Sequence, residues 1–107
     1  MTELSVREAH AAWQAGDLAI IDCREHAEHD ATRIDGVPLL PMSEFLARID
    51  ELPGGLTLAV ICRSGARSAQ VADYLTATGE YGEVANVEGG IIAWAAEGLP
   101  YAGEPPR

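Results

Sequence analysis

The chain contains no lysine: all seven of its basic residues are arginine, set against 17 acidic ones, for a formal net charge of −10. That absence excludes Schiff-base chemistry on a lysine amine. The shortage of positive charge argues against nucleic acid and anionic membranes as partners, since both select basic patches. Cysteine occurs only twice, too few for a disulfide framework, so a reducing, cytoplasmic setting is the expectation. No apolar run approaches the roughly 18 residues of a membrane span. The start, Met1-Thr2-Glu3-Leu4-Ser5, lacks the charged and apolar regions of a secretory signal. Repeats, low-complexity blocks and linkers are also missing, so residues 1–107 read as one domain. Its Gly- and Pro-rich tail, 101–107, is expected to fray.

What is present centres on one stretch. Leu56-Thr57-Leu58-Ala59-Val60-Ile61 is apolar on both faces of a strand, the pattern of a central parallel strand covered by helices on each side. Cys62-Arg63-Ser64-Gly65-Ala66-Arg67-Ser68 comes next, and Ala69, Val71, Ala72 and Leu75 then keep a helical period until Gly79. A cysteine therefore sits where a buried strand ends and a turn-prone loop opens a helix. Free N–H groups of the first helical turn, the helix dipole and two arginines all favour the thiolate, the reactive form of the residue. The same cradle suits a small oxyanion. A strand-end cysteine is ordinarily inert core, and Arg63 and Arg67 can be ordinary surface residues; their position beside Cys62 is what raises the reading of a nucleophile loop.

In chain order, Ser5-x-x-Glu8 forms a capping box for a helix carrying Ala9, Ala12 and Trp13, stopped at Gly16. Trp13 reads as core packing. Leu18 to Asp22 reads as a second buried strand, with Asp22 at the C-terminal edge where open α/β sheets place their sites. His26 and His29 share a helix face, but no further ligand spacing accompanies them, so no metal and no cofactor are assigned. Gly36 to Pro41 reads as a short strand hemmed by prolines. Ser43 is expected to cap a helix turning Phe45, Leu46, Ile49 and Leu52 toward the core. Glu83 to Val87 gives a last strand, and Gly89-Gly90 open a final helix through Trp94. Strands alternating with helices mean an α/β domain with a parallel sheet.

Four segments, in this order, resemble the single-domain rhodaneses, the thiosulfate-type sulfurtransferases. Asp22-Cys23-Arg24-Glu25 with Glu28 is similar to the family's Asp-x-Arg-x-x-x-Glu segment, and Ile34-Asp35-Gly36 to its Ile-x-Gly-Ala stretch. Cys62-Arg63-Ser64-Gly65-x-Arg67-Ser68 is similar to the active loop. Asn86 to Trp94 with Gly98-Leu99-Pro100 is similar to the closing signature. Thr32-Arg33 depart from the usual Gly-His, His29 from an aromatic and Val37 from an alanine; these put the packing of that loop in question. The resemblance implies a central parallel sheet of about five strands with helices on both faces. It also implies a Cys62 nucleophile that takes the outer sulfur of thiosulfate or a related anionic donor, forming a persulfide that a thiol or cyanide then discharges. A protein acceptor is a further candidate partner. Arg63, Ser64, Gly65, Ala66, Arg67 and Ser68 would bind the donor, and Asp22 and Arg24 would support the loop. Two other readings stand beside it. Phosphatases and arsenate reductases of the same fold use Cys-x5-Arg, whereas Arg67 lies at Cys-x4-Arg. A non-catalytic regulatory module would commonly lack the cysteine. Cys23 is not required by the motif. If its strand neighbours that of Cys62, as the resemblance implies, the two thiols lie at one sheet edge; the plainer reading is a small buried hydrophobe.

Overall fold

In β2 (Leu18–Asp22) and β4 (Thr57–Ile61), successive residues point to opposite faces, and both faces are apolar. Ile20, Ala59 and Ile61 enter one core with Val6 and Ala9 of α1 (Val6–Gln14) and Ile91 and Trp94 of α4 (Gly90–Ala96). Ile21, Leu58 and Val60 enter a second core with Val71, Ala72 and Leu75 of α3 (Ala66–Thr78). Helices therefore cover the sheet on both sides, the reason both strands lack a polar face. This computed structural model describes all residues, Met1–Arg107.

The sheet is parallel, in the order β1 (Thr2–Leu4), β5 (Ala85–Val87), β4, β2. β4 lies inside it, and the register pairs Asp22 with Ile61. The parallel α/β arrangement with helices on both faces is thus present, with two differences in the strands. Thr2–Leu4, three residues with no legible period, becomes an edge strand by pairing with β5. The segment expected as a strand at Gly36 to Pro41 contributes only a bridge between Leu39 and Asp22. Pro38 and Pro41 supply no N–H, which cuts the ladder short.

The capping box of α1 forms as expected, with Ser5 Oγ accepting from Glu8 N and Glu8 Oε1 from Ser5 N. The helix expected after Ser43 does not form. Two 3₁₀ segments, Met42–Glu44 and Leu46–Glu51, take its place, broken by non-helical angles at Arg48. Arg48 bonds Glu44 and Glu51, fixing that bend. Phe45 is buried as expected, but Leu46 is 68% exposed rather than turned to the core. The tail also departs from expectation: Ala102–Gly103 (β6) pairs antiparallel with Thr32–Arg33 (β3). No helix is long and apolar enough to cross a membrane.

Candidate active site

β4 delivers Cys62 to the C-terminal edge of the sheet, and the chain then curls so that the first turn of α3 faces the sulfur. Cys62 Sγ accepts from Gly65 N at 3.1 Å and Ser68 N at 3.4 Å, and lies 3.2 Å from Ser68 Oγ. Gly65 reaches this position with φ +105°, a conformation that strains any residue with a Cβ. The outer side of the loop is held by a second helix start. Ile91 N donates to Cys62 O at 2.9 Å and Ile92 N to Arg63 O at 3.2 Å. A Cβ on Gly90 would lie 2.4 Å from Arg63 O and 2.5 Å from Cys62 O, so only glycine lets α4 approach this closely.

Hydrogen bonding sets the charge of the sulfur. The Cys62 thiol is held well below the usual range by a hydrogen bond from Cys23, with Ser68 hydroxyl, Ser68 N–H and Gly65 N–H adding to it against the cost of burial. Cys23 is pushed the other way by its hydrogen bond to Cys62, by burial and by the Asp22 carboxylate nearby. Both cysteines are free, and they are 0% and 1% exposed for Cys23 and Cys62.

The structure distributes the remaining sequence candidates unevenly. Arg63, Ser64 and Ala66 are exposed at the loop. Arg67 is half-buried and bidentate to Glu28, Nη1 to Oε1 at 2.7 Å and Nη2 to Oε2 at 2.8 Å. That pairing raises the Arg67 pKa and lowers Glu28 to about 2. Ser68, read from the sequence as a donor-binding residue, is completely enclosed. Its side chain touches Cys62 Sγ and Asn86 Oδ1 instead of solvent. Of the N–H groups in the loop, those on the sulfur belong to Gly65 and Ser68.

Asp22 and Arg24 form a buried pair rather than a surface one, with Arg24 Nη2 2.8 Å from Asp22 Oδ2. Neither bonds the Cys62 loop directly. Arg24 donates onward to Thr32 O at 2.5 Å and Glu28 O at 3.3 Å, fixing the end of α2 (His26–Ala31), the helix that presents Glu28 to Arg67. Of the two histidines weighed as ligands, His26 bonds Glu44 at 2.7 Å.

Two contributors lie outside the sequence candidates. Asn86 is buried inside β5. Its amide nitrogen donates to Glu3 at 2.8 Å and to Gly65 O at 3.3 Å, which turns Oδ1 toward the Ser68 hydroxyl at 2.6 Å. A polar residue between apolar neighbours in a strand was the available signal. The tail is the other contributor. Thr32 Oγ1 donates to Glu104 O at 2.6 Å and Glu104 N to Ala31 O at 2.7 Å, so Thr32, one of the departures from the family pattern, anchors residues 102–107. Arg63 Nε donates to the backbone oxygen of Arg107. The tail thereby walls a cleft of about 240 Å³ whose floor includes Arg24, Glu28, Arg63 and Ile91.

Known proteins resemble this chain in sequence and in fold. A sulfurtransferase of Allochromatium vinosum is 44% identical over 84 residues, which cover 78% of each chain. A rhodanese-related protein of Thermoplasma volcanium superposes with a TM-score of 0.86 at 28% identity, over 97% of this chain and all of that one. A thiosulfate sulfurtransferase of Pseudomonas aeruginosa gives 0.84 at 25% identity, over 96% of this chain but 20% of that one. Residues 5–97 match the family model for the rhodanese-like domain. The loop that closes on Cys62, the sheet that carries it and the span of that match lead to one assignment: the chain belongs to the rhodanese-like domain family.

Proposed function

We propose that this rhodanese-like domain is a sulfurtransferase that carries a sulfane sulfur on Cys62. The Cys62 thiolate attacks the outer sulfur of thiosulfate or a related anionic donor. The S–S bond of the donor breaks, sulfite leaves with the electron pair, and a cysteine persulfide remains. A thiol or cyanide, or a thiol on a partner protein, then attacks the outer sulfur and returns Cys62 as thiolate. Gly65 and Ser68 N–H groups, already aimed at the sulfur, would stabilise charge there without reorganising. Arg63, exposed at the cleft, would meet the anionic donor. Arg67 would add to it to the extent that Glu28 releases it, and Ser64 and Ala66 line the same loop.

The observation that carries this reading is the pair of backbone N–H groups on Cys62 Sγ at the start of α3. It is supported by the sulfurtransferases among the relatives. Tightness of the loop favours sulfur over phosphate, because Arg67 closes it one residue earlier than the Cys-x5-Arg spacing that surrounds a tetrahedral oxyanion. The test is thiocyanate formation from thiosulfate and cyanide. Cys62→Ser should bring it to background while far-ultraviolet circular dichroism stays unchanged, since a hydroxyl cannot carry a persulfide. Turnover retained in that variant, or robust Cys62-dependent hydrolysis of a phosphate ester, would overturn the reading.

A further inference from the structure

In the transfer of sulfur on Cys62, Cys23 forms no bond to sulfur and acts only through its hydrogen bond to the thiolate, yet its placement is specific. β2 and β4 are hydrogen-bonded neighbours with Asp22 opposite Ile61, and Cys23 N donates to Ile61 O at 3.0 Å. Continuing that register by one step sets Cys23 opposite Cys62. Both side chains enter the same core, with Val60, Val71 and Ala72. Neighbouring strands lie about 4.8 Å apart, inside the Cα separations of about 4.4–6.8 Å that a disulfide accepts. Cys23 is completely enclosed, so it approaches Cys62 from the core side while a donor anion must arrive from the loop side.

We propose that Cys23 is a resolving thiol that converts the Cys62 persulfide into hydrosulfide and an internal Cys23–Cys62 disulfide. The proposal rests on the sulfurtransferase reading of Cys62. Cys23 Sγ attacks the inner sulfur of the persulfide, Cys62 Sγ. The bond between Cys62 Sγ and the outer sulfur breaks, and its electron pair leaves with the outer sulfur. That sulfur, anionic in the persulfide, takes the Cys23 proton and departs as hydrosulfide. The sulfane sulfur is thus reduced by two electrons, and the two cysteine sulfurs are oxidised by two. No outside proton or oxidant is needed.

Because the thiolate is the attacking form and Cys23 is held as a thiol, the step is slow beside transfer to an acceptor thiol, and the proton Cys23 gives up is the one that balances the outgoing hydrosulfide. Returning the enzyme to its reduced form requires a dithiol reductant, which exchanges with the disulfide and leaves oxidised. An acceptor thiol competes for the outer sulfur, whereas Cys23 takes the inner one. The domain would then have two outputs from one intermediate: transfer when an acceptor is present, and sulfide release when it is not.

The experiment treats the reduced full chain with one equivalent of thiosulfate, without added thiol, and tracks intact mass and free sulfide. Wild type should release stoichiometric sulfide and end two hydrogens lighter than its reduced form, with a Cys23–Cys62 peptide in the map. Cys23→Ser and Cys23→Ala should each accumulate a chain one sulfur heavier and release no sulfide until a thiol is added. Using both variants separates the thiol from the packing at a buried position. Wild type that holds the extra sulfur as long as the two variants do would overturn the proposal and leave the sulfurtransferase reading standing. Wild type that takes up no sulfur and releases no sulfide would remove the sulfurtransferase reading, and the resolving role with it.

Discussion

The same dipeptide, Cys-Arg, ends two adjacent parallel strands, and the two copies have opposite chemistry. After β4, Cys62 is shifted toward the thiolate and Arg63 is exposed. After β2, Cys23 is held as a thiol and Arg24 is buried against Asp22. The adjacent arginine does not explain the contrast, since each cysteine precedes one. The hydrogen bond between the two thiols and the path of the backbone past each strand end do explain it. Beyond β4 the chain turns through Gly65 and aims two N–H groups back at the sulfur. Beyond β2 it runs extended into Glu25, whose carboxylate serves the start of its own helix and Ser43. The N–H groups there have other partners, and a carboxylate lies one residue before the cysteine. The charge of a strand-end sulfur follows from the donors it collects, for Cys62 the Cys23 thiol, the Ser68 hydroxyl and the two backbone N–H groups, and a guanidinium in the next position does not suffice.

The comparison can be broken most severely at the β2 end. Asp22→Asn leaves the Arg24 guanidinium buried without its counter-charge, and removing one partner of a buried pair costs about 3–5 kcal/mol. Urea unfolding should show a loss of that size; a change below about 1 kcal/mol, the range of a surface pair, would mean the pair contributes no more than an exposed one.

The contrast between the two thiols is read next by alkylation. A free thiol with a pKa near 8.5 is about 0.3% ionised at pH 6, so its iodoacetamide rate falls roughly 300-fold below its plateau. The Cys62 pKa is lowered, so its thiolate persists as pH falls through 8.5, and its rate should stay nearly flat between pH 8 and pH 6. Cys23, shifted upward and enclosed, should remain unmodified throughout. Peptide mapping distinguishes the two, and a tenfold fall per pH unit at Cys62 would show that neither Cys23 nor the loop donors hold it as a thiolate.

At the β4 end, Gly90→Ala drives a Cβ into the carbonyls of Cys62 and Arg63 at positive φ, strain on the order of 1–3 kcal/mol. Stability should drop by about that amount, and thiocyanate formation should fall further because the loop itself is displaced. The smallest effect is expected at Arg67→Ala. Its partly exposed pair with Glu28 should contribute less than about 1 kcal/mol to folding, and the change in thiosulfate use should appear in KM. A fall in kcat with KM unchanged would assign Arg67 to the transition state instead.

Local physics made much of this legible from residue order alone. The Ser5–Glu8 box, the two-faced apolar run ending at Ile61 and the Gly79 stop each act within a few residues, so spacing and residue type determine them. Cys62 at the mouth of a helix belongs to the same class, because strand, turn and helix are consecutive there. Tertiary structure decided the rest. Glu28 meets Arg67 across 39 residues, Asn86 reaches Ser68 across 18, and Thr32 holds the tail at Glu104 across 72. Such contacts form only once long loops have closed, and no local pattern encodes their cost or their partner. The short strand Thr2–Leu4 exists for the same reason, as a partner to β5. The two cysteines show the division most sharply. Residue order placed each at the end of a strand, but the parallel register of β2 on β4 brought them onto one face, and a slip of one residue would have turned Cys23 to the other.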